Sequence, residues 1–301
     1  MASTPQTIAR RAAADLTAGG RSGTAEKVFH ALLFSSTVAA VLVLGVLLFD
    51  VLLDGAGRLS LPFLTSFPSF RAVDTGIKAA LSGTVSLMAI VAVVAFPVGV
   101  GAALYLEEFA PDNHFTRLME VNIANLAGVP SIVYGLLGSA VFVYILGMGR
   151  SLVTGGLTLT LLVLPVIIVA AREALRSVPR GIRDAGLALG ATPWQVTRRE
   201  VLPAALPGIM TGVILALSRA IGEAAPILVV GALPTTRFTN APWRPLDNFS
   251  ALPIQIFDWV KRPQEAFRVD AAAAGIIVLL VVLLVMNSGA IILRNRFQRR
   301  W

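Results

Sequence analysis

Residues 216–233 read ALSRAIGEAAPILVVGAL, which sets Arg219 and Glu223 inside an otherwise apolar run. A charged side chain at the centre of a bilayer costs roughly 3 kcal/mol on insertion scales, so such residues face a cavity or a partner. A spacing of four puts both on one helix face, separated by a rise of roughly 6 Å. Arginine offers a planar, permanently charged fork of donors that suits the oxygens of an oxyanion. Glutamate at this spacing could neutralise the arginine while no anion is present, or accept a hydrogen bond from a protonated oxyanion. In a second reading the pair is an internal ion bridge facing another helix, although a buried pair rarely improves on apolar packing. Gly222 leaves room beside the pair, and Pro226 releases the Gly222 carbonyl from its helical bond.

The elements that must position this pair are membrane helices. The chain has 301 residues, 56% hydrophobic and 14% charged, with a mean hydropathy of +0.78. That composition belongs to an all-α integral membrane protein, not to a soluble domain. Apolar segments long enough to cross roughly 30 Å of hydrocarbon fall at 31–53, 80–106, 119–147, 152–171, 204–233 and 271–293, giving six predicted helices. Taken as one span, 204–233 places Arg219 near its midpoint. Residues 1–27 lack apolar periodicity and read as a disordered tail, followed by one transmembrane domain over 28–301. The first apolar run is too long for a signal-peptide core and is read as a retained helix.

Orientation follows from lysine and arginine placement. With a cytoplasmic N-terminus, 15 of the 25 basic residues fall inside and 9 outside, Arg219 being the remaining one. Both termini are therefore expected in the cytoplasm, with a cytoplasmic loop at 172–203, an outer loop at 234–270 and a basic tail at 294–301. The formal charge of +8 is spread over loops and tails, which suits anionic lipid headgroups and argues against nucleic acid.

Other chemistries lack their residues. There is no cysteine, and the two histidines, His30 and His114, are not in a HExxH spacing. No GxxxxGK[ST] phosphate loop is present. The chain is thus read as a non-enzyme without a cofactor of its own. Any driven work would need a partner to supply the nucleotide site.

Two further regions carry patterned polar residues. The third span holds Asn122, Asn125, Gly128, Pro130, Ser131, Tyr134 and Gly135, a set that suits either helix packing or a wet pathway. Asn125, Ser131, Tyr134 and, from the fifth span, Ser218 are the pathway-lining candidates. Arg172, at the inner end of the fourth span, is a candidate second anion contact or a simple positive-inside anchor. The loop 172–203 predicts two short helices, about 180–189 and 193–200, broken at Gly190, with Thr192 capping the second and Pro193 at its first position. The outer stretch 249–262, FSALPIQIFDWVKR, reads as a short helix or a passive loop.

In that loop Asp184-Ala185-Gly186, then Gly190, then Leu202-Pro203 resembles the EAA---G---------I-LP loop of ABC importer permeases. Asp184 stands for Glu, Gly186 for the second Ala, and Glu200 where an apolar residue is usual. ALYLEEFAP at 103–111, NLAGVPSIVYGLLG at 125–138 and the opening stretch further resemble the phosphate importer permease subunit of the PstA type, over roughly residues 70–301. Ala224-Ala225-Pro226 after the glutamate favours that type over the sister PstC type. The resemblance implies a type I ABC importer permease fold in a bacterial plasma membrane, carrying inorganic phosphate inward. It implies four kinds of partner: a homologous PstC-type permease, two ATP-binding subunits holding ATP and magnesium, an extracytoplasmic phosphate-binding protein, and membrane lipid. Arg219, Glu223 and Arg172 would then meet the substrate, and Asp184, Ala185, Gly186, Gly190, Leu202 and Pro203 would couple to the ATPase. Another oxyanion such as sulfate or molybdate, the sister subunit, or a passive channel or membrane sensor are the alternatives.

Overall fold

A computed structural model describes residues 23–234 and 238–297. The expected disordered tail therefore lies almost wholly outside the described residues, as do the terminal Arg299 and Arg300. Helix α1 (Gly23–Ala56) supplies the described part of a first unit, which ends at Leu53, and its last three residues open a second unit that begins at Asp54.

Every regular element of the second unit among the described residues is a helix. A short α2 (Leu61–Thr65), capped by the Ser60 side chain, precedes α3 (Lys78–Leu104), which runs on into a π-helical turn, Tyr105–Phe109. Helix α4 (His114–Leu126) starts at Asn113, whose side chain accepts from the Thr116 amide at 2.8 Å. Next come α5 (Ser131–Gly138) with a π-helical continuation Ser139–Ile145, α6 (Leu152–Arg176), α7 (Arg180–Ala188) and α8 (Pro193–Val196). Helix α8 passes through a π-helical turn, Thr197–Val201, into α9 (Leu202–Gly222). Helices α10 (Ala225–Val230), α11 (Leu252–Val260) and α12 (Ala272–Phe297) complete the order.

The core sits around α6, which packs most extensively against α3 and α9. Small residues bring these backbones together: a Cβ on Gly212 would stand 2.4 Å from the Ala170 Cβ, and one on Gly99 would stand 2.6 Å from Ile167. Such close approach is the usual basis of helix association where lipid removes any hydrophobic drive between helices. The outer stretch 249–262 does form a helix, and it is part of the core, since Phe249, Leu252, Ile254 and Trp259 are all buried.

Two of the six predicted spans are not continuous. Among the described residues five helices are long and apolar enough to cross a membrane, and a sixth span exists only if α4 and α5 are counted together, bent by 106°. Gly128 and Pro130 lie in this break. Pro130 takes φ −54 and ψ 134, outside the helical region, as the first cap of α5. The predicted span 204–233 is likewise divided: α9 stops at Gly222, Glu223 is extended at φ −79 and ψ 111, and α10 begins at Ala225 with Pro226 in its first turn. Arg219 thus lies in the last turn of α9, not at the middle of a continuous helix.

The glycine-hinged pair at 172–203 forms as the sequence predicts at its first break. Gly190 has φ +82, a left-handed conformation that costs an L side chain about 1–2 kcal/mol. The Thr192 hydroxyl accepts from the Gln195 amide, and the Gln195 side chain accepts from the Thr192 amide at 2.8 Å, closing a capping box. The predicted end of the second helix near residue 200 is absent. From Pro193 to Gly222 the chain is one helix of 30 residues.

Candidate functional site

The break at Glu223 makes the site. Because α9 ends one residue earlier, Glu223 turns back along the last turn, and Arg219 Nε donates to Glu223 Oε1 at 3.2 Å. The guanidinium is 47% exposed while the glutamate is 18% exposed. The arginine thus keeps donors without a partner among the described residues, and the carboxylate that balances it is withdrawn. Helix α5 closes the other side. A Cβ on Gly135 would stand 2.8 Å from the Pro226 Cα, so α5 and α10 meet backbone to backbone just beyond the ion pair.

The lining candidates separate. The Tyr134 hydroxyl is spent across the α4–α5 bend, donating to the Leu126 carbonyl at 2.8 Å. Ser218 donates to Asn287 Oδ1 of α12 at 2.7 Å and contacts the Ile214 carbonyl at the same distance, so it ties α9 to α12. Asn125 is exposed at the end of α4, and Ser131 is partly buried at the start of α5.

Arg172 is not beside Arg219. Its Nη2 donates to Glu120 Oε1 at 2.7 Å and to Glu107 Oε2 at 3.3 Å, and its Nε is buried without a partner among the described residues. Two carboxylates already satisfy its charge. Arg176 adds a bidentate grip on Glu107, at 3.1 and 3.0 Å. Arg183 of α7 holds Glu108 with contacts of 2.6 to 3.2 Å and also donates to the Val178 and Leu175 carbonyls. The Glu108 hydrogen bonds hold the Arg183 guanidinium above its ordinary value, against the opposing pull of burial. Glu107, Glu108, Glu120, Arg176 and Arg183 were not singled out from the sequence. Two adjacent glutamates closing an apolar run were the available signal.

The loop residues divide by face. Val196 and Val201 are buried, whereas Leu187, Leu189 and Trp194 are exposed beside the exposed Asp184 and Ala185. Gly186 sits where α7 crosses α8, since a Cβ there would meet Val196 Cγ2 at 2.7 Å. The glycine in place of the motif's second alanine therefore has a steric reason. Glu200 is exposed, as a charged residue at that position requires. Leu202 and Pro203 begin α9 and are partly buried.

Residues 95–301 match the family described as the binding-protein-dependent transport system inner membrane component. The chain belongs to that family. Among relatives of this inner membrane component, the chain is 35% identical over 237 residues to the probable ABC transporter permease protein YqgI of Bacillus subtilis, covering 79% of this chain and 78% of that one. It is 36% identical over 195 residues to the phosphate transport system permease protein PstA 1 of Mycobacterium tuberculosis, covering 64% and 61% respectively. In fold it is similar to a chain of a bacterial alginate ABC transporter solved in complex with an alginate pentasaccharide-bound periplasmic protein. The TM-score is 0.64 at 15% identity, with 87% of this chain and 92% of that one covered. The type I importer fold implied by the 172–203 loop is thereby established for an inner membrane component with several membrane helices.

Proposed function

We propose that this chain is the permease subunit of an ATP-driven importer of inorganic phosphate and forms half of the pathway. The observation that carries the reading is the Arg219–Glu223 pair at the helix break, with the arginine half exposed and the glutamate withdrawn. Phosphate relatives within the family support the substrate. An anion entering the break would exchange the Glu223 contact for its own hydrogen bonds to Arg219, and the free carboxylate would speed its departure. A phosphate hydroxyl could also donate to Glu223, which fully ionised sulfate cannot do.

A homologous permease would complete the pathway, an extracytoplasmic binding protein would deliver the anion, and two ATP-binding subunits would hold ATP and magnesium. Both termini would lie in the cytoplasm, and the loop 172–203 would dock on the ATPases through Leu187, Leu189 and the Asp184 region. Nucleotide-driven movement of that loop would then tilt the helices that frame Arg219. Arg172 has no part in anion binding on this reading, because its charge is already balanced by Glu107 and Glu120.

The test is phosphate uptake by cells whose only high-affinity importer carries Arg219→Ala, with co-purification of the ATP-binding subunits as the assembly control. Uptake should fall at least tenfold with assembly intact. Wild-type uptake in that variant, or restored uptake of sulfate alone by the wild-type complex, would remove the proposal.

A further inference from the structure

We propose that Glu107 and Glu108 form a junction through which movement of the docking loop reaches the membrane helices. Glu108 and Arg183 act here as positioning residues, and the inference rests on the transport reading above. The two glutamates are neighbours on the π-helical turn that ends α3, yet they serve different bodies. Glu108 is held by Arg183 of α7, one residue before Asp184 of the motif. Glu107 is held by Arg172 and Arg176 of α6, and Arg172 continues to Glu120 of α4.

Burial makes these pairs unlike surface ion pairs. The Glu108 side chain is 9% exposed and Glu107 15%. Exposed pairs contribute little because solvent screens them and long side chains lose freedom. Partly desolvated pairs with bidentate geometry hold a fixed direction, and removing one partner leaves the other charge stranded. Sequence separations of 65 to 75 residues between partners give no local reason for the match. Phe109 of the same turn lies 6.1 Å from Trp194, so the turn also touches the start of the helix that leads to Arg219. A polar cleft lined by Glu107, Glu108, Arg176, Arg180, Arg183 and Asp184 opens beside these pairs.

The contacts run without a gap toward the anion site. Arg183 and Glu108 tie the loop to α3, and Glu107, Arg172 and Glu120 extend the tie to α4. The Tyr134–Leu126 hydrogen bond joins α4 to α5 across the bend, and Gly135 of α5 lies against Pro226. A push on α7 therefore meets a charged, directional connection at α3 as well as its apolar packing against Val196.

The experiment measures phosphate ions imported per ATP hydrolysed by the complete transporter in proteoliposomes. Glu108→Gln should keep both ATP-binding subunits and lower that ratio by about fivefold or more, the scale of a coupling free energy between sites. Arg183→Gln should lower it equally, and the double variant no further, since both act through one link. An unchanged ratio in Glu108→Gln, or losses that add, would overturn the junction. The chain has no cysteine, so Glu108→Cys with Arg183→Cys can be bridged by a short bis-thiol reagent and compared with its own unbridged form. Bridging should restore the ratio, and a bridged form no better than the unbridged one overturns the proposal without appeal to folding. Wild-type import is the control for the transport reading. Should it be nil, that reading falls, and a fluorophore at Leu228 of α10 decides the junction alone: its response to ATP in wild type should be lost in Glu108→Gln, and a retained response overturns the junction.

Discussion

Gly135 and Pro226 meet at a distance that admits no side chain on the glycine, with a Cβ there standing 2.8 Å from the Pro226 Cα and 2.9 Å from its carbonyl oxygen. Both obstructing atoms are backbone, so relief requires α5 or α10 to move. Gly135→Ala should cost about 1–3 kcal/mol by overpacking and shift Glu223, which lies three residues before Pro226. A lowered unfolding temperature of the detergent-purified complex, together with slower uptake, is the expected result. Unchanged values in both would show that the helices separate freely.

Glu223→Gln should leave Arg219 without its counter-charge and strengthen its hold on the anion. Phosphate uptake measured across concentration should then show a lower KM together with a lower maximal rate. A raised KM would instead identify Glu223 as an acceptor for a phosphate hydroxyl.

Gly190→Ala should weaken the loop by about 1–2 kcal/mol, because its φ of +82 penalises any L side chain. Gly190→Asn should be milder, asparagine being the residue that most readily takes this conformation after glycine. Co-purification of the ATP-binding subunits with each variant measures the difference, and equal recovery would place the hinge outside the docking element.

Tyr134→Phe removes the hydroxyl that donates to the Leu126 carbonyl across the 106° bend. The loss should be about 1 kcal/mol in stability, with the preference for phosphate over sulfate unchanged. A changed preference would return Tyr134 to the pathway.

What could be read from the residues was what depends on local chemistry. Thr192, Pro193 and Gly190 announce a cap, a helix start and a left-handed hinge by residue type alone, and each is found where the types place it. The Arg219–Glu223 contact follows from their spacing of four, even though the helix ends between them. The interruptions at residues 127–130 and 223–224 were hidden because apolar length counts the hydrocarbon crossed and not the direction of travel. Gly128 and Pro130 were visible as breakers within the first, and Gly222 and Pro226 beside the second, whereas the contact between Gly135 and Pro226, about 90 positions apart, was not. Of Glu107, Glu108, Arg176 and Arg183, the adjacent glutamates at the end of an apolar run left a signal, but nothing in the sequence named their partners. Only periodic neighbours three or four apart leave a trace in sequence, and these partners are brought together by the packing of α3, α6 and α7.

The helix that runs unbroken from Pro193 to Gly222 is about 45 Å long at 1.5 Å per residue. It begins in the docking element and ends at the residue before Glu223. A tilt of roughly 5° about its Pro193 end would carry a tip at that distance through roughly 4 Å. Both Arg219 and its cap residue Glu223 sit at that tip and move with it. Seen as a lever, the helix carries Arg219 and its cap residue Glu223 together, so a small rotation at its Pro193 end swings the whole ion pair as one body against the helices packed around it.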